Sequence, residues 1–238
     1  MKKAIIIGAT SGIGKELAKL LVANGYTVGI TGRRFELLQE LKKENPNSFL
    51  IKSFDITDTT LTTNKLNELT TELGGLDLLI LSSGIGDLNI HLDFKIEKQT
   101  IETNVLGFSC IVDWAFRYFE KQNYGHLVAI SSIAGLRGSR YAPSYNASKA
   151  FQINYLEGLR QKAKRLNKNI FVTDIRPGLV NTQMAKGDGL FWVMPVEKVV
   201  KQLFNAIKKK RKVVYITKRW SIIALLLKIM PRVIYDKI

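Results

Sequence analysis

Tyr145 and Lys149 stand four residues apart in Tyr145-Asn146-Ala147-Ser148-Lys149. On a helix this spacing lays a phenol and an ammonium one above the other on the same face. A phenol with an ordinary pKa of about 10 is a poor proton carrier at neutral pH. An ammonium beside it favours the phenolate, so Tyr145 can work as a general acid/base. Ser132 follows the apolar run Leu127-Val128-Ala129-Ile130. A hydroxyl at a strand end can donate to a carbonyl oxygen while Tyr145 supplies the proton. A Tyr and a Lys four apart also occur on many ordinary helices, so the pair gains meaning only beside a hydride donor.

The N-terminus offers a place to hold one. Lys2 to Gly14 reads KKAIIIGATSGIG, a buried-type strand from Ala4 to Ile7 running into Gly8, Gly12 and Gly14. Glu16 to Asn24 then carries Leu17, Leu20 and Leu21 at helical spacing, closed by Asn24-Gly25. A strand, a glycine turn and a helix N-terminus together make an anion site suited to a pyrophosphate. The spacing is Gly-x3-Gly-x-Gly. It is not a P-loop, because Lys15 is followed by Glu16 rather than Ser or Thr.

Taken together, these motifs resemble the short-chain dehydrogenase/reductase family in its compact form, over roughly Lys3 to Thr182. Gly8, Gly12 and Gly14 match the cofactor glycines, with Thr10, Ser11 and Ile13 in the same turn. Asn104, in Thr103-Asn104-Val105-Leu106-Gly107, matches the helix asparagine of the catalytic tetrad, and Ser132, Tyr145 and Lys149 match its other members. Pro177, Gly178, Val180 and Thr182 match the segment that holds the nicotinamide carboxamide. Asp55, followed by Ile56, matches the acid that accepts from the adenine amino group. The resemblance implies a doubly wound α/β fold with a parallel sheet of about seven strands. It also implies hydride transfer between a nicotinamide and a carbonyl or secondary alcohol. Tyr145 would donate the proton, and Lys149 would lower its pKa and bind the nicotinamide ribose. Ser132 would orient the carbonyl oxygen. Asn104 would bend its helix and hold a water linking Lys149 to solvent. The chain departs from the family at Leu81-Ser82-Ser83-Gly84, where Asn-Asn-Ala-Gly is usual. Gly84 keeps the close backbone approach to the cofactor, but Leu81 cannot make the amide's hydrogen bonds.

Cofactor choice is read after the second strand, expected over Tyr26 to Thr31. An NAD enzyme usually has an acid there for the ribose hydroxyls; this chain has Gly32, then Arg33 and Arg34. A guanidinium suits a 2′-phosphate, which puts NADP ahead of NAD. The plainer reading is that both arginines open a surface helix. The alternation of elements is itself that of a doubly wound fold. Expected helices run from Phe35 to Glu44 and from about Thr59, capped by Asp55 or Asp58, to Leu73. A long one around Lys98 to Glu120 contains Asn104.

A chain of 238 residues with 46% hydrophobic content is expected to form one domain over 1–238. One cysteine, Cys110, leaves no internal disulfide and suits a reducing, cytoplasmic setting. His91 and His126, the two histidines, lack partners at metal-ligand spacing. The net charge of +16 is concentrated near the C-terminus, in Lys208 to Lys212 and Lys218-Arg219. A solvated face, an acidic substrate, an anionic membrane surface or nucleic acid would each suit such a cluster; no nucleic acid partner is expected. Between Asn181 and Pro195, Gly187-Asp188-Gly189 and Leu190 to Met194 suggest a hinged apolar lid over a lipophilic substrate, or else a short buried helix unrelated to substrate. The tail, 218–238, is apolar from Trp220 to Leu227 and too short to span a bilayer. It suits either a helix in a membrane interface or an arm packed on its own domain or a partner subunit of a homo-oligomer. The rival to an enzyme is an NADP-binding scaffold or sensor docking on a membrane or partner.

Overall fold

The structure, a computed structural model, describes residues 2–183 and 191–237. Apolar strands buried on both faces and short turns build an alternating chain. It begins with β1 (Lys2–Ile7), α1 (Gly12–Ala23), β2 (Tyr26–Gly32), α2 (Phe35–Glu44), β3 (Phe49–Ser53), α3 (Thr59–Leu73) and β4 (Leu78–Leu81). All seven strands are parallel, in the order β3-β2-β1-β4-β5-β6-β7, with β5 (Tyr124–Ile130), β6 (Asn169–Pro177) and β7 (Val213–Ile216) completing the sheet. The order reverses between β1 and β4. That is the topological switch point, so the crevice lies beyond the C-terminal ends of these two strands. The register brings Ile7 beside both Thr31 and Leu81, which sets the glycine turn after β1 against Ser82-Ser83-Gly84 after β4.

Successive strand residues alternate between two cores. Ile6, Val28, Ile30 and Ile80 face one layer, with Leu17 and Leu21 of α1 and Val199 and Leu203 of α7 (Val196–Lys208). Ile5, Ile7, Leu79 and Leu81 face the other, with Leu66 of α3 and the aromatic helix α5 (Phe108–Gln122). The unusual Leu81 is thereby explained. Its side chain is buried in the second core, where apolar packing takes the place of amide hydrogen bonds. α3 begins at Asp58, whose carboxylate accepts from Leu61 N–H at 2.9 Å, and stops at Gly74 in the left-handed region.

The single long helix expected around Asn104 is divided. α4 (Phe94–Ile101) passes into a π-helical turn, Glu102–Gly107, before α5 begins. The expected local bend is therefore a widened turn of helix. Asn104 is fully buried in it and uses its side chain on a neighbouring loop instead of solvent.

The C-terminal tail forms α8 (Lys218–Ile229) and α9 (Arg232–Tyr235). Trp220 and Ala224 are buried against the chain's own domain, and the Trp220 indole lies over Gly178. Arg137 donates to the carbonyls of Leu227 and Met230 at 3.3 and 2.9 Å, tying the end of α8 to the segment after Ser132. The opposite stripe, Ile222, Leu225, Leu226 and Ile229, is exposed. No helix among the described residues is long and apolar enough to cross a membrane. The hinge glycines of the expected lid, and Leu190, lie outside the described residues; Phe191 to Met194 are described, with Phe191 and Trp192 exposed.

Candidate active site

The glycine turn is built for backbone approach. Gly8 and Gly12 take positive φ of 88° and 56°, and a Cβ on Gly14 would overlap the Gly8 carbonyl. α1 therefore starts close against β1, with Ser11 as its N-cap. Ser11 makes no side-chain cap, and the first turn carries no acid. The leading amides of α1 are thus left to an external acceptor, as a pyrophosphate site needs. Ile13 points back and packs on the core. Thr182 lies within 3.3 Å of where a Gly12 Cβ would be, so the segment after β6 closes over the turn. That segment is fixed by Gly178 N–H donating to the Ile216 carbonyl (3.0 Å) and by a parallel bridge between Val180 and Met194. Pro177 ends β6 beside Ile216.

The two arginines after β2 behave differently. Arg34 folds back over the turn and donates to Thr10 Oγ1 at 2.7 Å and Ser11 Oγ at 2.9 Å. Arg33 is exposed and pairs with Asp55 at 3.5 Å. Burial pushes the Asp55 carboxyl up, but hydrogen bonds from Thr57 and the Arg33 charge outweigh this and leave it below its usual value. Ile56 is buried beside Gly107 of the π-helical turn.

Ser132 lies two residues beyond β5 and caps the short 3-10 turn Ile133–Leu136, its Oγ accepting from Ala134 N–H at 3.1 Å. α6 (Pro143–Leu166) opens with a proline in its first turn and presents Tyr145 and Lys149 on one face. Burial pushes the Tyr145 phenol up, and the hydrogen-bonded Ser132 hydroxyl pulls it part of the way back. Lys149 is buried and its ammonium donates to the Ile130 carbonyl (3.2 Å) and to Gln152 Oε1 (3.0 Å). Burial brings its pKa down to about 8, against the opposing pull of Asp174. The expected direction at Tyr145 is therefore corrected. Lys149 stands 5.8 Å from the phenol ring centre with its ammonium engaged elsewhere, and desolvation of the phenolate prevails.

Asn104 Nδ2 donates to the Ile85 carbonyl and Ser148 Oγ at 2.7 and 3.0 Å, and its Oδ1 accepts from Ile85 N–H at 2.9 Å. A Cβ on Gly84 would stand 3.3 Å from Lys149 Nζ, which places the β4 loop directly over the lysine. Sequence reasoning missed four residues here. Gly86 must be small because the Tyr145 ring fills the space of a side chain. Ser148 and Gln152 bind Asn104, and Asp174 lies behind Ser131. The one legible signal was Gln152, a polar residue three positions after Lys149 on a buried helix face.

Among the described residues no group of three or more His, Cys, Asp or Glu could hold a metal ion. His126 is buried with its Nε2 2.7 Å from Thr173 Oγ1.

The family model described as short chain dehydrogenase matches residues 2–189. The chain belongs to the short-chain dehydrogenase/reductase family. As a member of it, the protein is an oxidoreductase. A probable NADP-dependent dehydrogenase of Haemophilus influenzae is 34% identical over 180 residues, covering 74% of this chain and 70% of that protein. Among solved structures, a short-chain dehydrogenase/reductase from Burkholderia phymatum in complex with NAD superposes with a TM-score of 0.86 at 18% identity, covering 94% of this chain and 92% of that one. ElxO with NADP bound superposes at 0.79 and 24% identity, covering 90% and 96%. At such identities the structural likeness establishes the seven-stranded fold.

Proposed function

We propose that this single-domain short-chain dehydrogenase/reductase uses NADP(H) to interconvert a lipophilic carbonyl compound and its secondary alcohol. The observation that carries the reading is the convergence of Ser132, Tyr145 and Lys149 at the end of β5, under the loop that follows β4. The uncapped amides of α1, with Gly8, Gly12 and Gly14, suit a pyrophosphate. Asp55, Ile56, Gly84, Pro177, Gly178, Val180 and Thr182 line the path proposed for the rest of the cofactor. When bound, the nicotinamide supplies or takes up the hydride. Tyr145 Oη holds the proton that is given to the carbonyl oxygen, Ser132 donates to that same oxygen, and Asn104 fixes the loop above them. Lys149 supports the developing phenolate charge and offers a donor to the ribose.

The preference for a lipophilic substrate is supported by Phe191, Trp192 and Trp220, whose ring centres lie 5.3–6.2 Å apart next to Gly178. Screening carbonyl compounds for NADPH consumption, with long-chain and ring ketones included, tests the reaction. No consumption with any of them, by protein shown to bind NADPH, would favour the scaffold reading.

NADPH rather than NADH is supported by Arg33 and Arg34 and by the NADP of the Haemophilus and ElxO proteins. A charge-assisted contact to the 2′-phosphate is worth roughly 1.5–3 kcal/mol, about tenfold to a hundredfold in Kd. Arg33→Ala and Arg34→Ala should each weaken NADPH by that order and leave NADH nearly unchanged in a fluorescence titration. Equal losses for both cofactors would remove the arginines from the phosphate site.

The tail supports peripheral docking on an anionic bilayer. Lys208 to Lys212 precede β7 whereas α8 follows it, so the cations nearest the apolar stripe in sequence are Lys218, Arg219, Lys228 and Arg232. Each cation near an anionic surface contributes about 1 kcal/mol, screened by salt, while the stripe adds burial that salt does not screen. The full chain should sediment with phosphatidylserine vesicles at low salt, less at high salt, and the Leu225→Asp/Ile229→Asp variant should not. Wild-type protein left in the supernatant sinks the membrane docking. If the variant instead dissociates an oligomer, the stripe is a subunit contact.

A further inference from the structure

The resemblance to the family implies a water, held by the asparagine of the bent helix, that links Lys149 to solvent. In this chain the Gln152 side chain also joins Lys149 to Asn104 directly. Gln152 Oε1 accepts from Lys149 Nζ at 3.0 Å, and its Nε2 donates to the Asn104 main-chain carbonyl at 2.9 Å. Gln152 is 1% exposed, and every polar atom of its carboxamide that these contacts need is used. Asn104 in turn holds Ile85 and Ser148, so the π-helical turn, the β4 loop and α6 are joined through one buried amide.

A carboxamide differs from a water at this position. It accepts through one atom and donates through another, and neither gains nor loses a proton near neutral pH. It therefore holds the ammonium without itself taking up or releasing a proton. We propose that Gln152 is a positioning residue that clamps the Lys149 ammonium between the end of β5 and the π-helical turn and supports its positive charge. This rests on the reading of Lys149 as the partner of Tyr145.

Among the described residues the other groups around Lys149 are few. Tyr145 faces it from the same helix and Asp174 from β6. Arg176 neutralises Asp174 from the same strand, and Arg160 of α6 feels both of these charges. Gly84 approaches it from the β4 loop without charge, and Asn104 of the π-helical turn flanks the same glycine. The carbonyl of Ile130 is its remaining contact from β5. Desolvation by all of these surfaces opposes the ammonium, and the Gln152 oxygen is a neutral acceptor directed at it.

The test reads Lys149 itself. The 15N-lysine NMR signal of its Nζ, identified by its loss in Lys149→Met, is titrated in the wild type, Gln152→Leu and Gln152→Glu. Removing the acceptor should move the midpoint to lower pH by about one unit or more, and a carboxylate in its place should move it up by a similar amount. Thermal melts confirm that each variant is folded. If Gln152→Leu does not fold, the upward shift in Gln152→Glu decides alone. Midpoints that agree within a few tenths of a unit overturn the proposal. Because this readout needs no substrate, it stands apart from the proposed reaction. A protein without oxidoreductase turnover can still show the shifts, and an active one can lack them.

Discussion

Tyr145→Phe should lower turnover by about 10²–10⁴-fold while leaving the NADPH dissociation constant nearly unchanged, since general acid/base catalysis typically contributes that much. The substitution removes one hydroxyl and keeps the ring, which fills the space beside Gly86 and so continues to support the loop after β4. The lost oxygen is hydrogen-bonded to the Ser132 hydroxyl, which keeps its own bond from Ala134 N–H. The scaffold therefore has little reason to move. The raised phenol adds a directional signature. At neutral pH Tyr145 holds its proton, the form that carbonyl reduction needs, whereas alcohol oxidation needs the phenolate. Reduction should be flat through neutrality and fall in the alkaline range; oxidation should rise there. Steady-state kinetics in both directions check this. Wild-type turnover in purified Tyr145→Phe would remove Tyr145 from the proton transfer.

How much of this was legible follows from what each motif depends on. The glycine turn, the Ser-Tyr-Lys spacing and the strand–helix alternation are local, and periodicity and residue type reveal them. Leu81 was misleading for the opposite reason. As a departure from Asn it suggests missing polar ties. Its meaning lies in the second core, formed by Ile7 from β1, Ala129 from β5 and helices α3 and α5, which no local window contains. The tail was half legible: its apolar run was plain, but which face packs depended on the distant Gly178 having no side chain beneath Trp220. The direction of the Tyr145 shift was read wrongly because a Lys four residues away is visible in sequence and desolvation is not. Arg34 shows the same limit, since its contacts to Thr10 and Ser11 cross 24 and 23 residues.

Asp174 is the feature furthest from any sequence signal, and its removal should have the largest effect on stability. Its carboxylate is fully buried on β6, two residues from Arg176 on the same strand face, and pairs with both Nε and Nη2 of that arginine at 2.7 Å. It also accepts from Ser131 Oγ at 2.5 Å, and Arg176 reaches Tyr215 Oη at 3.0 Å. One carboxylate thus holds the residue before Ser132, the end of β6 and the edge strand β7 together. Replacing it with leucine leaves the Arg176 guanidinium, 5% exposed, without its partner, and Arg160 adds a like charge nearby. Breaking a buried pair from one side costs about 3–5 kcal/mol. At about 2–4 °C per kcal/mol for a chain of this size, Asp174→Leu should melt some 6–20 °C below the wild type. Arg176→Leu added to it removes the stranded charge, so the double variant should recover much of the loss, a coupling that a double-mutant cycle reads directly. The same carboxylate supports the Lys149 ammonium, so even folded Asp174→Leu should titrate Lys149 at lower pH. A melting temperature for Asp174→Leu within about two degrees of wild type, about a kcal/mol at most by the same scale, would show that Arg176 finds another partner and that the pair is not what fixes this end of the sheet.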